Sequence, residues 1–344
     1  AFQDSEITPL LALLGLLAGL FAIAITPREE EPQIDVTIAD VFVPFPGASA
    51  EEVESLIATP AEQMLSEIEG VEHVYSASRP GMATITVQFE VGEPRSEVIV
   101  RLYNKVYSNA DWLPQNLGAG PPLIKPKGID DVPVMALTLH APGRDVGAYE
   151  LQKVAHNLEV ELKRIEGTRD VYTLGGPDDV VHVRLEPVAV AGDGVARADL
   201  RDALRMSNAA SPETAVVRGN GVFAVQAGDF LSRADEVARL VVGMSGGAPV
   251  RLEDVAEVER APDVPEKSVL IRFGPGAEAD GEDDLQSAVT IAVAKKAGTN
   301  AVEITDAIRT HLDELRGLAI PAGVEIAVTR DYGDTAEAKA NKLI

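Results

Sequence analysis

Two stretches of this chain resemble one another, and that repetition limits its architecture more than any other feature. Residues 68–90, IEGVEHVYSASRPGMATITVQFE, align with 165–186, IEGTRDVYTLGGPDDVVHVRLE, once one residue is dropped after the proline. Ile, Glu, Gly, Val, Tyr, Pro, Val and Glu coincide. Each copy follows a helical pattern, the second over 146–164. Each helix follows a β-branched, strand-like run, 34–45 in one case and 134–140 in the other. A β-α-β-β order used twice requires two sheets of related design.

The local signals agree with that order and predict an α+β fold with two ferredoxin-like βαββαβ units. Pro46-Gly47 turns the chain, and Ser49 with Glu52 forms a capping box that opens a helix. Pro60 interrupts this helix. Thr59 and Glu62 read as a second capping box, so two short helices meeting at a kink are expected. Strands are expected over 71–78 and 82–90, and Val98, Leu102 and Val106 mark one face of a helix beginning at Pro94. The second unit does not finish at once. Residues 187–265 intervene, with helices over 199–206 and 233–240 and a hairpin at Arg218-Gly219-Asn220-Gly221, where Asn-Gly is a strong turn signal. The missing half then follows as strand 287–294, helix 300–315 and strand 324–329. A small α+β domain is therefore inserted into the second unit.

Residues 7–26, ITPLLALLGLLAGLFAIAIT, carry no charge, and twenty helical residues reach roughly 30 Å, the thickness of a bilayer core. A secretory signal is the rival reading, because Ala22-Ile23-Ala24 mimics a cleavage site. The leading Asp4 and Glu6 supply none of the basic residues such a signal begins with. Residue 1 is Ala, and the last residues, Asn341-Lys342-Leu343-Ile344, form no obvious terminus, so the chain reads as cut at both ends.

Composition excludes several functions. The chain has 55 acidic and 30 basic residues, a net charge of −25, which repels phosphate backbones and argues against nucleic acid. With no cysteine there is no thiol catalysis and no thiolate metal site. His73, His140, His156, His182 and His311 share no ligand spacing, and no nucleophile–base arrangement stands out. No enzymatic activity, cofactor or resident metal is expected. The acidic run 278–284 lacks EF-hand alternation and reads as a solvated loop. The five methionines are isolated and read as core, not as soft-metal ligands. The glycines at 118–120 and 243–247 read as turns.

Six stretches, in order, carry a family resemblance: PFPGASAEEVESLIATPAEQ at 44–63, IEGVEHVYSASRPGMATITVQF at 68–89, GIDDVPVMALTL at 128–139, PVRLEDVAEVE at 249–259, VTIAVAKKAGTNAVEI at 289–304 and VTRDYGDTA at 328–336. Together they resemble the first part of an RND (resistance–nodulation–division) efflux permease. The resemblance implies that 7–26 is a first transmembrane helix and 33–133 a first porter subdomain. The second porter subdomain would be 134–186 with 266–330, the docking subdomain 187–265, and 331–344 the lead-in to a second transmembrane helix. It also implies a proton-driven exporter of hydrophobic or amphiphilic compounds in a bacterial inner membrane, with most of this chain in the periplasm. Its partners would be two further copies in a homotrimer, a periplasmic adaptor, an outer-membrane channel and membrane lipid. The family's proton-carrying residues lie on membrane helices outside this chain. Hydrophobe exporters offer aromatic side chains to a substrate cleft at positions nearest Val134 and Leu174; the aliphatic residues here argue against an aromatic pocket. The hairpin with Asn220 and Gly221 at its tip is the candidate oligomer contact. A heavy-metal-exporting member and a membrane-tethered binding or assembly module without transport are the alternatives.

Overall fold

A computed structural model describes residues 7–29, 36–142, 146–209, 214–219, 221–225, 230–274 and 285–343. The chain opens with helix α1 (Thr8–Ile25), whose leucines and Phe21 are exposed on every side. Pro27 sets its end. The residue before a proline is pushed out of the helical region, and Thr26 is extended, with its N–H and hydroxyl donating back to the Ala22 carbonyl. The expected membrane span over 7–26 is corrected here. The helix has 18 residues and rises about 27 Å, at the short end of the roughly 17–25 residues that span a bilayer core. Among the described residues no helix is long and apolar enough to cross a membrane.

The first unit runs β1 (Ile38–Pro44), α2 (Ala50–Val53), α3 (Thr59–Ser66), β2 (Val71–Arg79), β3 (Met82–Phe89), α4 (Arg95–Ser108) and β4 (Leu123–Lys127). Its strands pair antiparallel in the order β2-β3-β1-β4. Val41, Val43, Ile85, Val87 and Phe89 alternate onto one face of the sheet. They pack there against Val53, Ile57 and Leu65 and against Val98, Leu102 and Val106, which recur every fourth residue along α4. The Ser49–Glu52 capping box forms as expected, with the Ser49 N–H donating to Glu52 at 2.8 Å. The expected break at Pro60 does not occur. A π turn over Glu54–Ala58 joins α2 to α3, and Thr59 is helical and caps nothing. The Thr59 N–H reaches back five residues to Glu54, so the widened turn absorbs the donor that Pro60 lacks.

The second unit contains β5 (Met135–His140), α5 (Ala148–Leu162) and β6 (Thr168–Leu174). An excursion follows: β7 (Asp179–Leu185), α6 (Pro187–Gly192), α7 (Arg197–Ser207), β8 (Thr214–Arg218), β9 (Gly221–Val225), α8 (Ala234–Ala238), β10 (Val241–Ser245), β11 (Ala248–Arg251), α9 (Leu252–Val255) and β12 (Ala256–Pro262). The chain returns through β13 (Val269–Ile271), β14 (Gln286–Lys295), α10 (Ala301–Leu315), β15 (Glu325–Asp331) and α11 (Tyr332–Leu343). Strand β14 lies between β5 and β6, and β15 flanks β5. The order β15-β5-β14-β6 thus repeats β4-β1-β3-β2. Leu137, Leu139, Val289, Ile291 and Val293 face Leu151, Leu158 and Leu162 of α5 and Ile304, Ile308 and Leu312 of α10.

The sequence repeat has a structural counterpart in β2 and β6, but not beyond them. Gly70 and Gly167 lead into these strands with φ of +84° and +90°. Both strands carry a register shift after their first pair, as a β-bulge does, and Tyr75 and Tyr172 follow it on exposed positions. The second half of the likeness is misleading. β3 pairs with β1 in its own sheet, whereas β7 leaves the second sheet, pairs with β12 and packs Val181, Val183 and Leu185 into a third core. That core contains Leu200, Val237, Val242, Leu252 and Val255. The excursion departs and returns side by side, from Asp179 opposite Pro262 to Leu185 opposite Ala256. The whole is α+β with antiparallel sheets.

Candidate functional site

The short link between the two sheets carries the most site-like geometry. Ile129–Asp131 forms one 3-10 turn after Gly128. The Gly128 N–H donates to the Asp131 carboxylate at 2.6 Å, and the Asp131 N–H donates to the Gly128 carbonyl at 3.0 Å. Asp131 also pairs with Arg169 on β6, which fastens the turn to the second sheet. This turn and the start of β1 border an open pocket of about 550 Å³ lined by Val36, Ile38, Ile129, Val132 and Pro133, with Lys127 and Asp131 at its polar edge. A pocket of this size and apolar character suits an apolar or amphiphilic molecule.

Charge is concentrated around it. Asp40, on the central strand β1, is buried; it pairs with Lys127 and accepts from the Thr86 hydroxyl at 2.7 Å. Lys295, at the end of β14, is buried with Glu29 at 2.8 Å and Asp130 at 3.9 Å. Groups with perturbed acidity stand elsewhere. Arg260 holds the Asp179 carboxyl below its ordinary range, and Ser49 does the same for Glu52. Asp331 raises Arg309.

Val134 and Leu174 are not brought together. Val134 is buried in the second core. Its N–H donates to Val293 and its carbonyl accepts from Tyr332, both at 2.8 Å. Its chain neighbour Pro133, not Val134 itself, lines the candidate site. Leu174 is 38% exposed at the far end of β6, opposite Thr290. The two lie on opposite flanks of β14, roughly 15 Å apart by strand spacing and rise. Beside Leu174 the same face of the sheet carries a hydroxyl row missed in the sequence, buried at Thr138 and reaching the surface at Thr329. Thr138 bonds Thr290 at 2.8 Å and Thr329 at 3.1 Å, across three adjacent strands. Its signal is a threonine at the outward position of β5, β14 and β15. Asn220 lies outside the described residues, as does the acidic run 278–284. Gly221 opens β9 opposite Arg218.

A model of the AcrB/AcrD/AcrF family matches residues 3–340, nearly the whole chain. The chain belongs to this family of RND permeases. Among its relatives, the multidrug resistance protein MdtC of Proteus mirabilis is 30% identical over 337 residues, covering 98% of this chain and 31% of that protein. MdtC of Yersinia enterocolitica is 28% identical over 343 residues, covering 99% of this chain and 32% of that protein. The chain thus spans about a third of the length of these relatives. The AcrB/AcrD/AcrF family is one of transporters rather than of enzymes, and the apolar cavity suits binding better than bond-making chemistry.

Proposed function

We propose that this chain is the periplasmic porter and docking part of a subunit of a proton-driven exporter of hydrophobic or amphiphilic compounds. The observation that carries the reading is the family match over 3–340 together with the doubled strand order of the two sheets. In this reading the first core is the first porter subdomain and the second core the second. The third core, held on the β7–β12 ribbon, is the docking subdomain. The sheets are ferredoxin-like, and the bulk of the chain lies in the periplasm beside the inner membrane. The exposed apolar surface of α1 meets lipid, since monomeric soluble proteins rarely leave so large a patch bare.

Substrate moves through the cleft between the porter sheets, where the 128–133 turn, Thr290, Thr329 and Leu174 offer apolar and hydroxyl contacts, with the buried Thr138 hydroxyl holding the two threonines in place. Val134 supports this surface from behind. The intact subunit assembles as a homotrimer with a periplasmic adaptor and an outer-membrane channel, and the β8–β9 hairpin reaches a neighbouring copy. The test is export of a fluorescent amphiphile from cells lacking other pumps. Leu174→Asp is expected to slow export at least tenfold at unchanged protein level, and an uncoupler to abolish it. Unchanged export in the variant would remove Leu174 from the cleft, and export that survives the uncoupler would remove the proton drive.

A further inference from the structure

We propose that Lys295 is a positioning residue that trades between Glu29 and Asp130, coupling the seat of α1 to the turn linking the two sheets. Its side chain is 8% exposed, and those of Glu29 and Asp130 are 14% and 13% exposed. One ammonium therefore faces two carboxylates in a largely dry setting. At 2.8 Å the contact with Glu29 is a charge-assisted hydrogen bond; at 3.9 Å the contact with Asp130 is not. A buried charge left without its partner is strongly unfavourable. Lysine's flexible four-carbon stem lets the ammonium exchange one carboxylate for the other with a shift of about 1 Å.

Each carboxylate holds a different part of the molecule. Glu29 follows Arg28, whose carbonyl accepts from the Ala301 N–H at 3.2 Å, at the start of α10. The Arg28 guanidinium approaches Glu337 on α11 at 3.6 Å. The exit of α1 is thereby fastened to the two helices that close the second unit. Asp130 sits in the middle of the 3-10 turn whose flanking residues, Ile129 and Asp131, line the cavity. Whatever draws Lys295 toward Asp130 tightens this wall and loosens the exit of α1, and the reverse holds by reciprocity of coupling. The two segments should therefore respond to the latch in opposite directions, which a purely structural ion cluster would not produce.

Hydrogen–deuterium exchange of the intact protein in detergent tests this. Asp130→Asn and Glu29→Gln each preserve shape and leave Lys295 one carboxylate. In Asp130→Asn, exchange should slow at least threefold in a peptide over 296–304 and quicken at least threefold over 128–134. In Glu29→Gln both changes should reverse sign. A peptide over 83–89, in the first core, should keep its protection in both variants and report intact folding. Changes of the same sign in both segments, or no change in either, would overturn the proposal.

Discussion

At the scale of single residues, the two repeat-derived glycines differ in what surrounds them. A Cβ on Gly167 would sit 2.9 Å from Ile304 Cδ1, a core atom, whereas on Gly70 it would meet only the ends of Glu93 and Arg101, from 3.0 Å outward. Both have φ near +90°, which disfavours any L side chain. Gly167→Ala is expected to cost about 2–4 kcal/mol, from backbone strain plus displaced packing. Gly70→Ala should cost about 1–2 kcal/mol, from strain alone. Urea denaturation of the two variants checks the order. The Asp179–Arg260 pair on the β7–β12 ribbon makes a pH prediction. Arg260 lowers the folded-state pKa of Asp179, so the stabilisation is present above the unfolded carboxylate range, near about 4, and is lost as pH falls through the folded value. Thermal melts from pH 7 to 2 should show a smaller acid-side decline in Asp179→Asn than in the native chain.

At the scale of elements, helix α4 shows how one periodic face decides energetics. Leu102 is fully buried in the first core, whereas Val100, two residues earlier, is 57% exposed. Leu102→Ala is expected to destabilise by about 2–5 kcal/mol. Val100→Ala should stay within about 0.5 kcal/mol, as for other surface changes. Equal losses in a denaturant titration would mean that the α4 face is assigned wrongly. The α2–α3 segment teaches a different lesson. Its apolar spacing and the first capping box were legible in the sequence, but the response to Pro60 was not. A kink with a fresh cap and a continuous helix with a π turn both satisfy the missing donor. The sheet beneath Ile57 and Leu65, which needs both on one face, selects the second.

At the scale of the whole molecule, the inserted region leaves and re-enters through adjacent residues: the Glu186 N–H donates to the Val255 carbonyl at 2.9 Å. Replacing 187–254 with Asn-Gly should therefore close β7 and β12 into a two-residue hairpin. The β5 and β14 amides should remain protected from exchange, while Val181, Val183 and Leu185 lose their third-core partners. Loss of protection in β14 would make the insert part of the second unit's own folding. For the hairpin, deletion of 217–222 in the intact protein followed by sizing in detergent separates two roles. Dissociation of the oligomer with the fold retained identifies an intersubunit arm; an unchanged oligomer identifies a surface feature.

The linear sequence by itself determined the α+β class, most of the helices and strands though not β4, β10, β13, α6 or α9, the capping box at Ser49 and the family, because these depend on period, capping chemistry and ordered motifs. It also carried the helix–glycine–strand half of the repeat, since a left-handed glycine and a bulge are local requirements. Tertiary structure decided the rest. The partner of β7 was not legible, because alternating Val and Leu suit any sheet and only the returning β12 chooses among them. The site was least legible of all. Asp40, Thr138, Thr290, Lys295 and Glu29 are ordinary residues far apart in the chain. What joins them is the register of strands pairing across as many as 191 positions, and the removal of water that turns a lysine and two carboxylates into a coupled group.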